Sequence, residues 1–297
     1  MVTAFCPAHI TGFFKAELDK KDSKQLGSLG AGFSIQKGVK TTVTIRNKTK
    51  HDISNFTIKV NGFESGNMRV SEVVLSKFST KGKFVDIIHE IDVPVGYGFG
   101  SSAAVALSLS IALNDALECK LSKIKVAQIA HDVEIECKTG LGDVLASYYG
   151  GFEIRDKPGA PGIGHVQNIT LNKISIIMIC FSPISTSKFI KERLPRINGL
   201  GGKMVNELLK SKNYEHFQEM SLEFAKYVDV MTPRMQKVVN ELSKNNIKCG
   251  IALFGETIFS MIPKENENKI LKILEKYSDG IIIKSELDNT GARVLYN

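Results

Sequence analysis

An α+β fold in two domains is predicted by three features of this 297-residue chain. Residues before Pro94 form β-branched and alternating runs, helical patterns dominate just after it, and strands and helices alternate again beyond a Pro-Gly segment at 158–164. That segment is the strongest loop signal in the chain, so the expected domains are 1–164 and 165–297. The length and a hydrophobic fraction of 43% allow a substantial core.

In the first half, residues 39–46 are rich in threonine and valine, 56–60 alternate, and 84–93 are β-branched and stop at a proline, as strands feeding a turn do. Residues 103–116 are apolar on nearly every side and predict a helix buried in the middle of its domain. A second helix is expected over 123–137, where Ile124, Ala127, Ala130 and Val133 repeat at helical spacing. In the second half the pattern gives a strand at 174–181 and helices at 202–210, 214–231 and 233–245. A strand-like stretch at 250–262, a helix at 266–277 and a last strand at 280–284 follow.

Composition excludes several classes. Lysine and arginine outnumber aspartate and glutamate by 39 to 31, but the signs are mixed along the chain and no basic run is interleaved with aromatics. No nucleic-acid partner is expected. The five cysteines form no C-x-x-C pair, which argues against a disulfide framework or a zinc site. The strongest apolar run, 174–181, is too short to span a bilayer, and no charged leader precedes an apolar core at the N-terminus. A cytoplasmic protein with no membrane partner is expected.

The chemistry concentrates in Pro94-Val95-Gly96-Tyr97-Gly98-Phe99-Gly100-Ser101-Ser102-Ala103-Ala104. Three alternate glycines permit backbone conformations that a β-carbon forbids, and their N–H groups can converge on an anion at the start of the following helix. A serine hydroxyl there either caps the first turn or coordinates a metal ion bridging phosphates. No lysine follows the last glycine, which excludes the P-loop, and the G-x-G-x-G spacing differs from the dinucleotide fingerprint. Further on, Glu134 and Glu136 end a helix and Asp143 lies in a glycine turn. Ala127 and Ala130 lie on the side of Glu134, favouring it over Glu136 as the inward carboxylate, and His131 shares its face.

The string P-x-G-x-G-x-G-S-S-A resembles the central motif of the GHMP family of small-molecule kinases. That resemblance implies a GHMP kinase fold with the active site in a cleft between two α+β domains, with ATP and Mg²⁺ as cofactors. Pro94, Gly96, Gly98, Gly100, Ser101 and Ser102 would hold the nucleotide. Ser102 and Glu134 would bind the metal, and Asp143 would orient or deprotonate the acceptor hydroxyl. The first family motif usually carries a glycine and a basic residue, where this chain has Ala8 and His9. The third is reduced to Leu253-Phe254-Gly255-Glu256-Thr257.

Residues 5–14, the glycine-rich stretch 27–32, Lys138-Thr139-Gly140-Leu141-Gly142-Asp143, and Gly150 to Arg155 resemble the archaeal pantoate-kinase branch of that family. The implied reaction is phosphorylation of pantoate to 4-phosphopantoate in coenzyme A synthesis. Arg155 would grip the substrate carboxylate, with Ser28, His131, Thr186 and His9 as further substrate contacts. Homoserine or mevalonate as acceptor and a non-catalytic binding protein are the alternatives. The family also implies a possible homodimer.

Overall fold

The computed structural model describes residues 1–63 and 68–296. Its first sheet is built on two long antiparallel strands, β1 (Val2–Glu17) and β2 (Gly27–Asn47), paired along nearly their whole length with register shifts at Pro7/Ala8 and Thr11/Phe13. β3 (Phe56–Gly62) runs parallel to β4 (Lys83–Ile91), which pairs with the far half of β2. The near half of β2 pairs instead with β5 (Phe152–Lys157), which β6 (His165–Ile169) extends. The middle of β1 and β2 is therefore framed by different neighbours on its two halves.

Four helices follow in a layer on this sheet: α1 (Arg69–Ser76), α2 (Ser101–Ala116), α3 (Lys123–Cys137) and α4 (Asp143–Tyr149), with α2 and α4 against β1 and β2 and with α1 and α3 packed on α2. α2 is buried along most of its length, as a sequence apolar on nearly all sides requires. α4 was not anticipated; Asp143, read as part of a glycine turn, is its first residue.

A second sheet contains β7 (Ile174–Pro183), β8 (Gly250–Ala252), β9 (Gly255–Pro263) and β10 (Ile281–Glu286) in the order β10-β7-β9-β8. The single strand-like stretch expected at 250–262 is thus a hairpin turning at Leu253 and Phe254. α5 (Thr186–Ser211) lies against β1, β2 and β5 of the first sheet, while α6 (Tyr214–Tyr227), α7 (Pro233–Lys244) and α8 (Glu267–Leu274) pack on the second. α5 starts well before the expected residue 202, because Phe189, Ile197, Gly201, Met204 and Leu208 form one buried stripe that runs past Pro195. The chain ends with β11 (Arg293–Leu295), which returns to β1.

The Pro-Gly segment at 158–164 joins β5 to β6 within the first sheet, so that sheet draws strands from both sides of Gly164. Aromatic contacts tie the two halves together: Phe33 meets Phe259 with ring centres 5.0 Å apart, and Phe152 meets Phe217 at 5.1 Å. Among the described residues, no helix is long and apolar enough to cross a membrane.

Candidate active site

The glycine loop leaves β4 and opens α2. Gly96, Gly98 and Gly100 have φ of +85°, +87° and +55°, the left-handed region in which a side chain is strained. Gly100 is the N-cap, and no side chain caps the helix, so Ser101 and Ser102 are left with hydroxyls for other partners. Pro94 is buried at the entry to the loop. The back of the loop is clamped by the second half of the molecule: Ile184 N–H donates to Gly96 O (2.9 Å) and Thr257 Oγ1 to Tyr97 O (2.8 Å). Leu253 to Thr257, the reduced third motif, supports the loop from behind, while Phe254 reaches the cleft wall.

In front of the loop lies a cleft of about 390 Å³. Gly96, Gly98, Gly100, Ser101, Ser102, Thr11, Thr139 and Asp143 line one side, and Ile184 to Ser187, including Thr186, line the other. Two smaller spaces adjoin it. One, of about 210 Å³, is walled by Val60, Met68, Val70, Ile91, Val95 and Val105. The other, of about 330 Å³, is walled by Leu18, Ile135, Leu141, Ile190 and Leu194, with Lys138 and Lys191 among its residues.

One carboxylate, Asp143, lines the cleft, and a second, Glu134, lies behind the lining residues Ser102 and Thr139. α3 delivers Glu134 as a buried side chain, whereas Glu136 is exposed and pairs with Lys77. Glu134 accepts hydrogen bonds from Thr139 Oγ1 (2.5 Å) and Ser102 Oγ (3.2 Å). Burial, with the charge of Asp143 adding to it, pushes its pKa up to about 7 against the opposing effect of those hydroxyls. Asp143 is held differently. Its Oδ1 lies 2.8 Å from His9 Nδ1 and 3.4 Å from Thr11 Oγ1. Burial would raise its pKa, but hydrogen bonding to His9, the charges of His9 and Arg155, and Thr11 outweigh that and hold it below the usual carboxylate range.

Four expected substrate contacts lie elsewhere. His131 is buried with Nε2 3.2 Å from Ser23 O and 3.1 Å from Leu26 O, so it ties α3 to the connection between β1 and β2. Ser28 and Arg155 are buried behind Gly142, and Arg155 NH1 bonds Glu153 Oε1 at 2.5 Å. His9 is also buried, beneath Asp143. None of the four lines the cleft. Conversely, Thr11, Thr139 and Glu153 had been given no role; the available signal was Thr11 two residues from His9 and Glu153 two residues from Arg155, each pair on one strand face.

Metal fit follows from the donors. Ser102 and Glu134 present hard oxygens, as Mg²⁺ prefers. Among the described residues no group of three or more histidine, cysteine or acidic side chains could hold a metal. An ion here would therefore complete its shell with phosphate and water oxygens, the usual arrangement for Mg²⁺ on a nucleotide.

Fold and cleft together define a GHMP kinase, and residues 68–151 match the family model for the GHMP kinases N terminal domain. Pantoate kinase of Methanocaldococcus jannaschii is 34% identical over 91% of this chain and 96% of its own. That of Thermococcus kodakarensis is 29% identical over 92% of each. A solved structure titled a phosphotransferase related to the CoA biosynthesis pathway superposes with a TM-score of 0.88 at 28% identity, covering 99% of this chain and 98% of that one. The chain belongs to the pantoate kinase family.

Proposed function

We propose that this protein transfers the terminal phosphoryl group of ATP to the primary hydroxyl of pantoate, giving 4-phosphopantoate for coenzyme A synthesis. The observation that carries the reading is Asp143, which lines one cleft with the glycine cradle and Ser102, the hydroxyl that bonds buried Glu134. The triphosphate would rest on Gly96 to Ser102, with the base in the adjoining apolar slot. Ser102 and Glu134 would hold Mg²⁺, which neutralises charge on the phosphate oxygens when bound.

The recess beside Gly140 suits the acceptor. Leu141, Ile190 and Leu194 match a branched aliphatic body, and Lys138 and Lys191 offer cations for its carboxylate, the task that buried Arg155 is not placed to perform. Thr186 on the cleft wall can bond a hydroxyl of the acceptor. Asp143 would orient the attacking hydroxyl and receive its hydrogen bond, since phosphoryl transfer relies mainly on positioning and charge stabilisation.

ADP release with ATP and Mg²⁺ tests this, using D-pantoate beside homoserine and mevalonate and Asp143→Asn as control. Turnover confined to pantoate is expected and lost in the variant; turnover with another alcohol alone would move the acceptor, and none with any acceptor would remove the kinase reading.

A further inference from the structure

We propose that His9 is held as an imidazolium between Asp143 and Glu153 and is the positioning residue of the phosphoryl-transfer site, keeping Asp143 ionised and aimed at the cleft. The inference rests on the role given to Asp143 above. His9 itself touches no substrate, because its side chain is fully buried beneath that carboxylate.

A carboxylate oxygen at each ring nitrogen favours the charge. His9 Nδ1 lies 2.8 Å from Asp143 Oδ1, and Nε2 lies 2.8 Å from Glu153 Oε1. A neutral imidazole donates from one nitrogen only, and an ionised carboxylate only accepts, so a neutral ring would set a lone pair against a carboxylate oxygen at one end. Glu153 Oε1 also accepts from Arg155 NH1, at 2.5 Å. Asp143, Thr11, Glu153 and Arg155 face the ring from α4, β1 and β5; Arg155 NH1 lies 3.3 Å from His9 Nε2 and opposes the ring's charge, but both carboxylate oxygens are nearer, at 2.8 Å.

The surrounding backbone is cut to make room for this row. A β-carbon on Gly32 would lie 2.5 Å from His9 Nε2, one on Gly30 2.6 Å from Arg155 NH2, and one on Gly142 2.9 Å from Arg155 Nε. Burying four charges in this way costs stability relative to apolar side chains of similar volume, and Glu153 Oε2 and Arg155 Nε have no hydrogen-bond partner. Fold stability alone therefore does not explain the row. Of the four charged side chains in the row, Asp143 lines the cleft, and its side chain is 13% exposed.

The charge is read on the full-length wild type by ¹⁵N-histidine NMR, independently of turnover. One of the six histidines should show both ring nitrogens protonated, with slowly exchanging ring protons, at pH values where ordinary histidines are neutral. Absence of such a ring overturns the proposal. In His9→Gln, kcat should fall about 10²-fold while KM for ATP stays within about threefold. The acid limb of its kcat/KM profile should move up by about one to three pH units, because Asp143 loses its cation. An active variant whose acid limb stays in place overturns the positioning role. If the variant does not fold, the wild-type spectrum decides. Failure of pantoate turnover in the wild type is a separate result that bears on the reaction and leaves the charge of His9 readable.

Discussion

Glu134 and Asp143 share one glycine as their common wall: a β-carbon on Gly140 would lie 2.2 Å from Glu134 Oε2 and 3.2 Å from Asp143 Oδ2. The first distance is impossible without movement, and Glu134 is pinned by Thr139 and Ser102. Gly140→Ala should therefore displace the inward carboxylate. The expected result is a higher Mg²⁺ requirement and a lower kcat, with a stability loss of about 1–3 kcal/mol from overpacking. Mg²⁺ titration of the rate together with thermal melting checks both; an unchanged Mg²⁺ dependence would show that Glu134 does not serve the metal.

The pH response of Glu134 follows from its environment. Burial and the charge of Asp143 raise its pKa to about 7, above the 4.5 of a free glutamate, so the unfolded chain binds fewer protons between those values. Its contribution to stability is thus greatest when protonated and declines as pH rises toward 7. Two outcomes are expected. Mg²⁺ binding should strengthen from pH 6 to 8 and release a proton, measurable by calorimetry in buffers of different ionisation enthalpy. Glu134→Gln should lose metal-dependent turnover yet be more stable than wild type at pH 8, by on the order of 1–3 kcal/mol, and so melt higher. A variant that melts lower would contradict the desolvation account.

His131 is a fastener, and its substitution should read as one. Its ring faces the carbonyls of Ser23 and Leu26, and burial, opposed by those backbone bonds and by Asp132, holds its pKa below the ordinary histidine value. A neutral ring can donate from Nε2 toward this pair without a charge penalty. His131→Phe should lower stability by about 1–3 kcal/mol, the penalty for leaving buried acceptors unpaired, while KM for pantoate changes little. A large rise in that KM with normal stability would return His131 to the substrate site.

What the chain disclosed in advance divides by the range of the interaction. Local signals were legible: alternate glycines before two serines imply an anion cradle, and the alanines on one face of α3 point to Glu134. α3 itself falls at the expected 123–137. Packing across the sheet was not legible. Residues 27–32 read as a glycine-rich loop, yet they open strand β2, because His9 and Arg155 occupy the volumes that side chains would need. The same long-range packing brings His9 and Arg155, separated by 146 positions, together beneath Asp143. Their residue types suggested ligand contacts; only the register of β1, β2 and β5 shows them facing each other.

Gly98 tests whether the second half of the molecule shapes the nucleotide loop. Its φ of +87° is unfavourable for any residue with a β-carbon, and that atom would lie 2.4 Å from Leu253 O. Leu253 is fixed in turn, since its N–H donates to Thr11 O on β1 at 3.1 Å. Relief must therefore come from the loop, which would lift toward the cleft and turn its N–H groups away from the phosphates. Gly98→Ala should weaken ATP binding by at least about tenfold and lower the melting temperature together. Leu253→Ala leaves that carbonyl in place and removes only buried apolar packing, so it should cost about 2–5 kcal/mol of stability with a much smaller effect on ATP affinity in the folded fraction. Nucleotide titration on both variants separates the two effects, and equal losses of affinity would mean that general destabilisation, not the glycine's conformation, governs the cradle.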